Sequence, residues 1–547
     1  MVIAHRQVTE SEVEEEIQRL QDVLVQAKDQ LQTMRNMTAK RMGNGEAAVF
    51  DAHMAFLEDP AYTGEIVQRV RDKRVNVESV VAEVTDEMAA MLASLPDEYL
   101  RARADDIRDV GNRLLHLLAG EKSLDLALLP AGSIVVAEEL APSDVAAFSE
   151  GVAGMVTARG SRTAHAVIMA KSLGIPAVVG LGEGIQHIAE NDTLVLDGDQ
   201  GLVVTRPSAQ EQQEVRDRID RDLRWSQAAG KRAKEPAISR DGVVIDVFAN
   251  IGHLKDIPLA LANGADGVGL FRTEFLYLDS DHWPTEEEQY TVYRQSLEAF
   301  ADKPVMIRTL DIGGDKPLPY AKLPKEENPF LGYRAIRFCL DNPDIFKTQL
   351  RALLRASSHG QLWIMLPMVE NLQEVRAAKS LVATCRQELA TQGYPVADKI
   401  PLGIMVEIPA AAVAADTLAK EVDFMSIGTN DLTQYTLAAD RGNEKIAYLY
   451  DAVHPAVLRL VRMTCEAGRK ANIPVGMCGE LAGDAQMTEA LLGLGLTELS
   501  MGAAAIPRVK ERVRVMSCQE AEPWALRLLT LESPADVRTV AANRSET

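Results

Sequence analysis

Cysteine is scarce in this chain of 547 residues: Cys339, Cys385, Cys465, Cys478 and Cys518 are odd in number, widely scattered and without a CxxC pair. That usage argues against a disulfide framework or a structural zinc site and predicts reduced thiols. An uninterrupted apolar run of membrane-spanning length is also missing, and the opening Met1-Val2-Ile3-Ala4-His5-Arg6-Gln7 is too short and polar for a signal peptide. A cytoplasmic protein is expected. Basic charge is in deficit, with 58 Lys and Arg against 80 Asp and Glu and a formal net charge of −22. Such a balance makes nonspecific nucleic-acid binding an unsuitable role and suits a partner with a basic patch. What is present is 47% hydrophobic content, ample for two or three domains with their own cores.

The pattern changes three times along the chain. Over 9–34, Val13, Ile17, Leu20, Leu24, Ala27, Leu31 and Met34 recur at alternating spacings of four and three, behind a capping box of Thr9 and Glu12. Similar runs over 47–57, 75–95 and 99–118 predict a helical bundle filling 1–120, either a docking element or a plain helical spacer. Short strands at 133–137, 154–157, 177–179 and 193–196, with a helix at 164–173, predict a small α/β module over 121–207. A charged helix follows within 208–236, of the kind that connects two domains. Beyond it, over 237–547, eight apolar runs at 243–249, 267–270, 305–307, 362–366, 403–406, 424–427, 475–477 and 499–501 predict a (β/α)8 barrel. The predicted class is therefore multidomain α/β: an N-terminal helical bundle inserted in or beside an α/β module, then a C-terminal barrel.

Several barrel runs lead straight into Asn250, Arg272, Arg308, Glu407, Asn430-Asp431 and Cys478. Loops after the strands of such a barrel converge on one face, so these residues become neighbours around one ligand. Glu407 and Asp431, at the ends of adjacent strands, suit an oxygen-preferring divalent cation, with Mg²⁺ the natural candidate. Arg272, Arg308 and Arg441 offer bidentate donors to a phosphorylated ligand, and Cys478 could protonate a carbanion or enolate. The plain alternatives are salt bridging at a barrel rim and a buried structural cysteine. In the small module, Gly160-Ser161-Arg162-Thr163-Ala164-His165 runs into a helix, placing His165 in its first turn. There the dipole favours a neutral, nucleophilic ring, and free N–H groups with Arg162 could hold a phosphoryl group; a capping or core histidine is the bland reading. The loop Leu310-Asp311-Ile312-Gly313-Gly314-Asp315-Lys316 could fold over a ligand but matches no Walker A pattern.

The segments Gly269-Leu270-Phe271-Arg272-Thr273-Glu274-Phe275, Asp311-Ile312-Gly313-Gly314-Asp315-Lys316, Glu327-Asn328-Pro329-Phe330-Leu331-Gly332, Gly428-Thr429-Asn430-Asp431-Leu432-Thr433-Gln434-Tyr435 and Gly476-Met477-Cys478-Gly479-Glu480 closely resemble one family over nearly the whole chain. It is Enzyme I of the bacterial phosphoenolpyruvate:sugar phosphotransferase system. The resemblance implies that Arg272, Arg308, Arg441 and Asn430 bind phosphoenolpyruvate, that Arg334 completes the phosphate shell, and that Glu407 and Asp431 hold Mg²⁺, Asp431 serving the substrate as well. It also implies that His165 takes the phosphoryl group and that Cys478 protonates the enolate of departing pyruvate. The small module is then a swivelling phosphohistidine domain, and the helical bundle docks the histidine-containing phosphocarrier protein. A homodimer formed through the barrel is implied too.

Two departures stand out. Members normally begin with a glycine-rich segment of the type Ser-Pro-Gly-Ile-Ala; this chain starts after it, so either the start codon is misplaced or a real truncation leaves the small module with an uncovered edge. Members also show Gly-Gly-x-Thr-Ser-His where this chain has Gly160-Ser161-Arg162-Thr163-Ala164-His165, a change that could alter phosphohistidine stability. The alternative reading is a phosphoenolpyruvate-binding regulatory protein with impaired transfer. A dikinase or phosphoenolpyruvate synthase would need a large ATP-binding domain ahead of the histidine, where helical sequence without a phosphate loop stands instead.

Overall fold

The computed structural model describes residues 5–41, 44–93, 98–120, 126–149, 151–160, 165–198, 201–313, 318, 320–321 and 326–545. It forms two compact units, Met1–Arg218 and Ile219–Thr547. The boundary falls inside the helix Ala209–Lys231.

The first unit opens with the helix Val13–Arg41, whose buried face carries the predicted Val13, Ile17, Leu20, Ala27 and Leu31. Glu12 accepts hydrogen bonds from the Thr9 amide and hydroxyl, each at 2.7 Å. The helices Asn44–Glu58, Val77–Ala93 and Glu98–Ala119 follow the periodic runs. A further helix, Pro60–Lys73, was not anticipated. Its signal was local: Asp59 caps the Ala61 amide at 2.8 Å and Pro60 occupies the first turn, where its missing N–H costs nothing. Its apolar face is only Tyr62, Ile66 and Val70, a stripe too thin to stand out from its polar flanks.

The α/β module shares a hydrophobic core with the bundle, through Val145, Phe148, Met155, Met169 and Ala170. Its parallel sheet runs Ile134–Ala137, Gly154–Thr157, Ala177–Val178 in that spatial order, so Ile134–Ala137 has one strand neighbour among the described residues. The fourth expected strand, Leu194–Asp197, does not join it. It pairs antiparallel with a strand that sequence patterning missed, Leu202–Thr205, which follows it closely in sequence, Leu194 standing opposite Thr205.

In the second unit eight parallel strands, Val244–Ile251, Val268–Arg272, Pro304–Arg308, Gln361–Leu366, Leu402–Val406, Met425–Ile427, Val475–Met477 and Glu498–Met501, pair in sequence order. The last pairs with the first, Ser500 opposite Phe248, and closes the barrel. Two sets of buried side chains explain the near-continuous hydrophobic strands: Val247, Ala249, Val305 and Ile307 join the core under the helices, while Phe248, Leu270, Met306, Met365, Met405 and Phe424 form a separate inner cluster. Among the described residues no helix is long and apolar enough to cross a membrane.

Candidate active site

The C-terminal ends of the second to seventh strands assemble the site. Arg272 and Arg308 are the last residues of neighbouring strands and are paired in register. The strand ends are tied by Gln349 from the helix Pro343–Ala356, whose side-chain oxygen accepts from the Leu310 amide at 2.8 Å and whose amide donates to the Thr273 hydroxyl at 3.2 Å. That hydroxyl in turn donates to the Arg308 carbonyl at 2.9 Å.

A buried guanidinium requires a counter-charge, and Arg308 has two. Its Nη2 lies 2.6 Å from Glu274 Oε1 and 3.0 Å from Asp311 Oδ2. Arg334, 1% exposed, donates from Nε and Nη2 to the two oxygens of Asp311 at 2.8 and 3.1 Å, and Nη2 reaches Asp431 Oδ2 at 3.3 Å. Burial alone would weaken both cations; the fields of Glu274, Asp311 and Glu407 on Arg308, and of Asp311, Asp431 and Glu407 on Arg334, reverse that and raise them. Gly313 makes the approach possible. Its φ is +98°, and a Cβ there would meet the Tyr333 carbonyl at 2.4 Å, next to the segment that carries Arg334.

Glu407 follows the fifth strand and is 1% exposed, with Oε1 accepting from the Met368 amide at 2.6 Å. Burial, then the charges of Asp431 and Asp311, push its pKa up to about 8 against the pull of Arg308 and Arg334. Asp431 lies in the first turn of the helix Thr429–Leu437, where the dipole favours an anion; its Oδ1 is buried and accepts no hydrogen bond among the described residues. Arg441 approaches that oxygen at 3.9 Å. Asn430 is half-buried, its Oδ1 accepting from the Glu480 amide at 3.1 Å. Among the described residues Arg272 has no hydrogen-bond or ion-pair partner, and it is half-buried at the strand end.

Cys478, expected at the mouth, is 2% exposed and belongs to the side-chain cluster inside the barrel, its Sγ 3.8 Å from the Ile427 carbonyl. Burial pushes the thiol up to about 12; Glu407 and Glu498 add to that, and Ser426 and Arg308 oppose it. Asn250 donates to the Cys478 carbonyl at 3.0 Å, which ties the first strand to the seventh. His165 opens the helix His165–Ser172 of the first unit; its side chain and residues 161–164 lie outside the described residues, as do 314–317 of the glycine-bearing loop.

The barrel thus brings together Arg308, Arg334, Glu407, Asp431 and Arg441, with Arg272 beside Arg308 and Asn430 beside Asp431. Sequence reasoning assigned no role to Glu274, Asp311 and Gln349, nor to Tyr435, whose hydroxyl accepts from Arg334 Nη1 at 3.4 Å. The one signal in the sequence was spacing: Glu274 and Asp311 are carboxylates two and three residues after strand-ending arginines.

A phosphorylated carboxylic acid fits this mixture of guanidiniums and carboxylates, and comparison with known proteins agrees. Residues 226–518 match the family model "PEP-utilising enzyme, PEP-binding domain", residues 1–103 the "N-terminal" model and residues 129–201 the "mobile domain" model of the same enzymes. The fold and site therefore define a phosphoenolpyruvate-utilising enzyme. The chain is 45% identical to the phosphoenolpyruvate-protein phosphotransferase of Listeria innocua over 95% of its own length and 91% of the relative's. It is 44% identical to the enzyme of that name from Bacillus subtilis, over 96% and 93%, and to that of Geobacillus stearothermophilus, over 98% and 93%. The chain belongs to the phosphoenolpyruvate–protein phosphotransferase family and is a phosphotransferase.

Proposed function

We propose that the chain transfers the phosphoryl group of phosphoenolpyruvate to His165, releases pyruvate, and passes the group to the histidine-containing phosphocarrier protein of a sugar phosphotransferase system. The observation that carries this reading is the pair of buried arginines, Arg308 and Arg334, set against Glu407 and Asp431 at the strand ends of a barrel whose relatives carry that enzymatic name. Arg272, Arg308, Arg334 and Arg441 bind the phosphate and carboxylate of the substrate, with Asn430 and Asp431 also facing it.

Glu407 and Asp431 hold Mg²⁺ in this reading. The fit is supported by the buried Asp431 Oδ1, which lacks a hydrogen-bond donor among the described residues. Held by those two carboxylates, the ion would supply positive charge to the site.

The His165 ring nitrogen forms the N–P bond as the P–O bond to the enolate breaks. The arginines offset charge spreading over the phosphoryl oxygens. The Cys478 thiol, still protonated at neutral pH, gives its proton to the enolate carbon and yields pyruvate. The module carrying His165 then moves to the acceptor, the helical bundle docks the acceptor, the barrel pairs two chains as a homodimer, and the enzyme works in the cytoplasm.

Incubation with labelled phosphoenolpyruvate and Mg²⁺, comparing the intact chain with His165→Ala, tests the reading. Acid-labile, alkali-stable label on the intact chain alone, chased by a phosphocarrier protein, is expected. Absence of label while phosphoenolpyruvate still binds would replace it with the regulatory binding protein.

A further inference from the structure

We infer that Asp311 and Glu274 are positioning residues that hold the guanidiniums of Arg308 and Arg334 in one fixed arrangement for phosphoryl transfer. The inference rests on the proposed role of those arginines as phosphoryl ligands.

Asp311 is fully buried, and its carboxylate is shared. Both oxygens take Arg334, and Oδ2 also takes Arg308 Nη2, which donates to Glu274 Oε1 as well. Arg308 Nη1 rests 3.7 Å from the Met405 sulfur, and Nε is buried without an acceptor among the described residues. One edge of the Arg308 fork is therefore clamped, while Nε keeps an unspent donor for a ligand oxygen.

Two neighbouring guanidiniums repel each other, and each side chain has several rotatable bonds. A carboxylate between them offsets the repulsion and fixes the plane of both forks, which is what bidentate recognition of a phosphoryl group demands. The clasp is built by the chain itself: Gly313 lets the segment that carries Asp311, three residues past the strand end, pack against Tyr333 and Arg334, and the Ala335 amide donates to the Ile312 carbonyl at 3.0 Å.

Electrostatics separates positioning from simple attraction. Asp311 and Glu274 are anions in a site for an anionic substrate, so neutralising either one strengthens the attraction for phosphoenolpyruvate. A residue that only moderates the field would lower KM when neutralised and leave kcat alone. A positioning residue would lose kcat.

The test compares steady-state pyruvate release from phosphoenolpyruvate, with Mg²⁺ and excess phosphocarrier protein as acceptor, by the full chain and by its Asp311→Asn, Arg334→Ala and double variants, each checked by thermal unfolding. Asp311→Asn should lower kcat about 100-fold with KM within about threefold of the parent, and should cost about tenfold less in the Arg334→Ala background, where only its contact with Arg308 remains to be lost. A kcat for Asp311→Asn within about threefold of the parent, or an undiminished cost beside Arg334→Ala, overturns the inference. Should Asp311→Asn not fold, Glu274→Gln is decisive: an unchanged kcat overturns the clasp, and a kcat lowered at constant KM supports it. Failure of the unmodified chain to take label from phosphoenolpyruvate would instead sink the proposed function, which is a separate result.

Discussion

At the scale of single residues, the site is a balance of burial against charge. Arg308 and Arg334 are tolerated inside the barrel mouth because carboxylates lie within hydrogen-bond reach, and the same low-dielectric surroundings lift Glu407. Cys478 is the clearest case of one cause with a chemical consequence: burial keeps the thiol protonated across the neutral range, as a proton donor needs. Cys478→Ala should lower the rate of pyruvate formation about 100-fold or more while KM for phosphoenolpyruvate changes little, measured in steady state. A rate within a few-fold of the parent would remove the thiol from the reaction. The strand-end arginines, carboxylates and thiol were legible because a polar residue ending an apolar run is conspicuous. Glu274 and Asp311 were not, because their importance depends on the depth at which their partners are buried, and residue order carries no depth.

At the scale of elements, local chemistry accounts for most boundaries. The eight barrel strands were legible as apolar runs because both faces are buried. The helix Pro60–Lys73 was hidden by its polar flanks, and it depends on its cap: Asp59→Ala should cost about 1 kcal/mol in urea unfolding of the chain, with little change in slope. The turn at Gly313 has a stricter requirement. A Cβ there meets the Tyr333 carbonyl at 2.4 Å in a left-handed backbone, so Gly313→Ala should displace Arg334 and lower kcat/KM at least about tenfold. Wild-type kinetics in that variant would show that the loop accommodates the methyl group.

At the scale of the whole molecule, the second unit is held by an extensive core in which cysteines act as small apolar side chains. Burial pushes the Cys465 thiol from 9.0 up to about 12, and Cys339 moves in the same direction. A folded-state pKa above the unfolded one gives stability that is complete below about pH 9 and lost as pH rises towards about 12. Thermal midpoints should therefore fall between pH 9 and 11, and more gently in Cys465→Ala, where one such thiol is gone. Identical slopes for parent and variant would mean that this thiol does not set the alkaline limit.

The sequence by itself determined the barrel, the helical bundle, the small α/β module and the residue types at the strand ends, because periodicity and abrupt changes of polarity are written in residue order. Tertiary structure alone decided that Leu194–Asp197 pairs with Leu202–Thr205 rather than extending the module's sheet. It alone decided that Asp311 joins two arginines that stand 26 residues apart in sequence, at 308 and 334. The physical reason is shared: pairing partners and buried counter-charges are chosen by proximity after the chain has folded back on itself, and by the cost of leaving a polar group unpaired there.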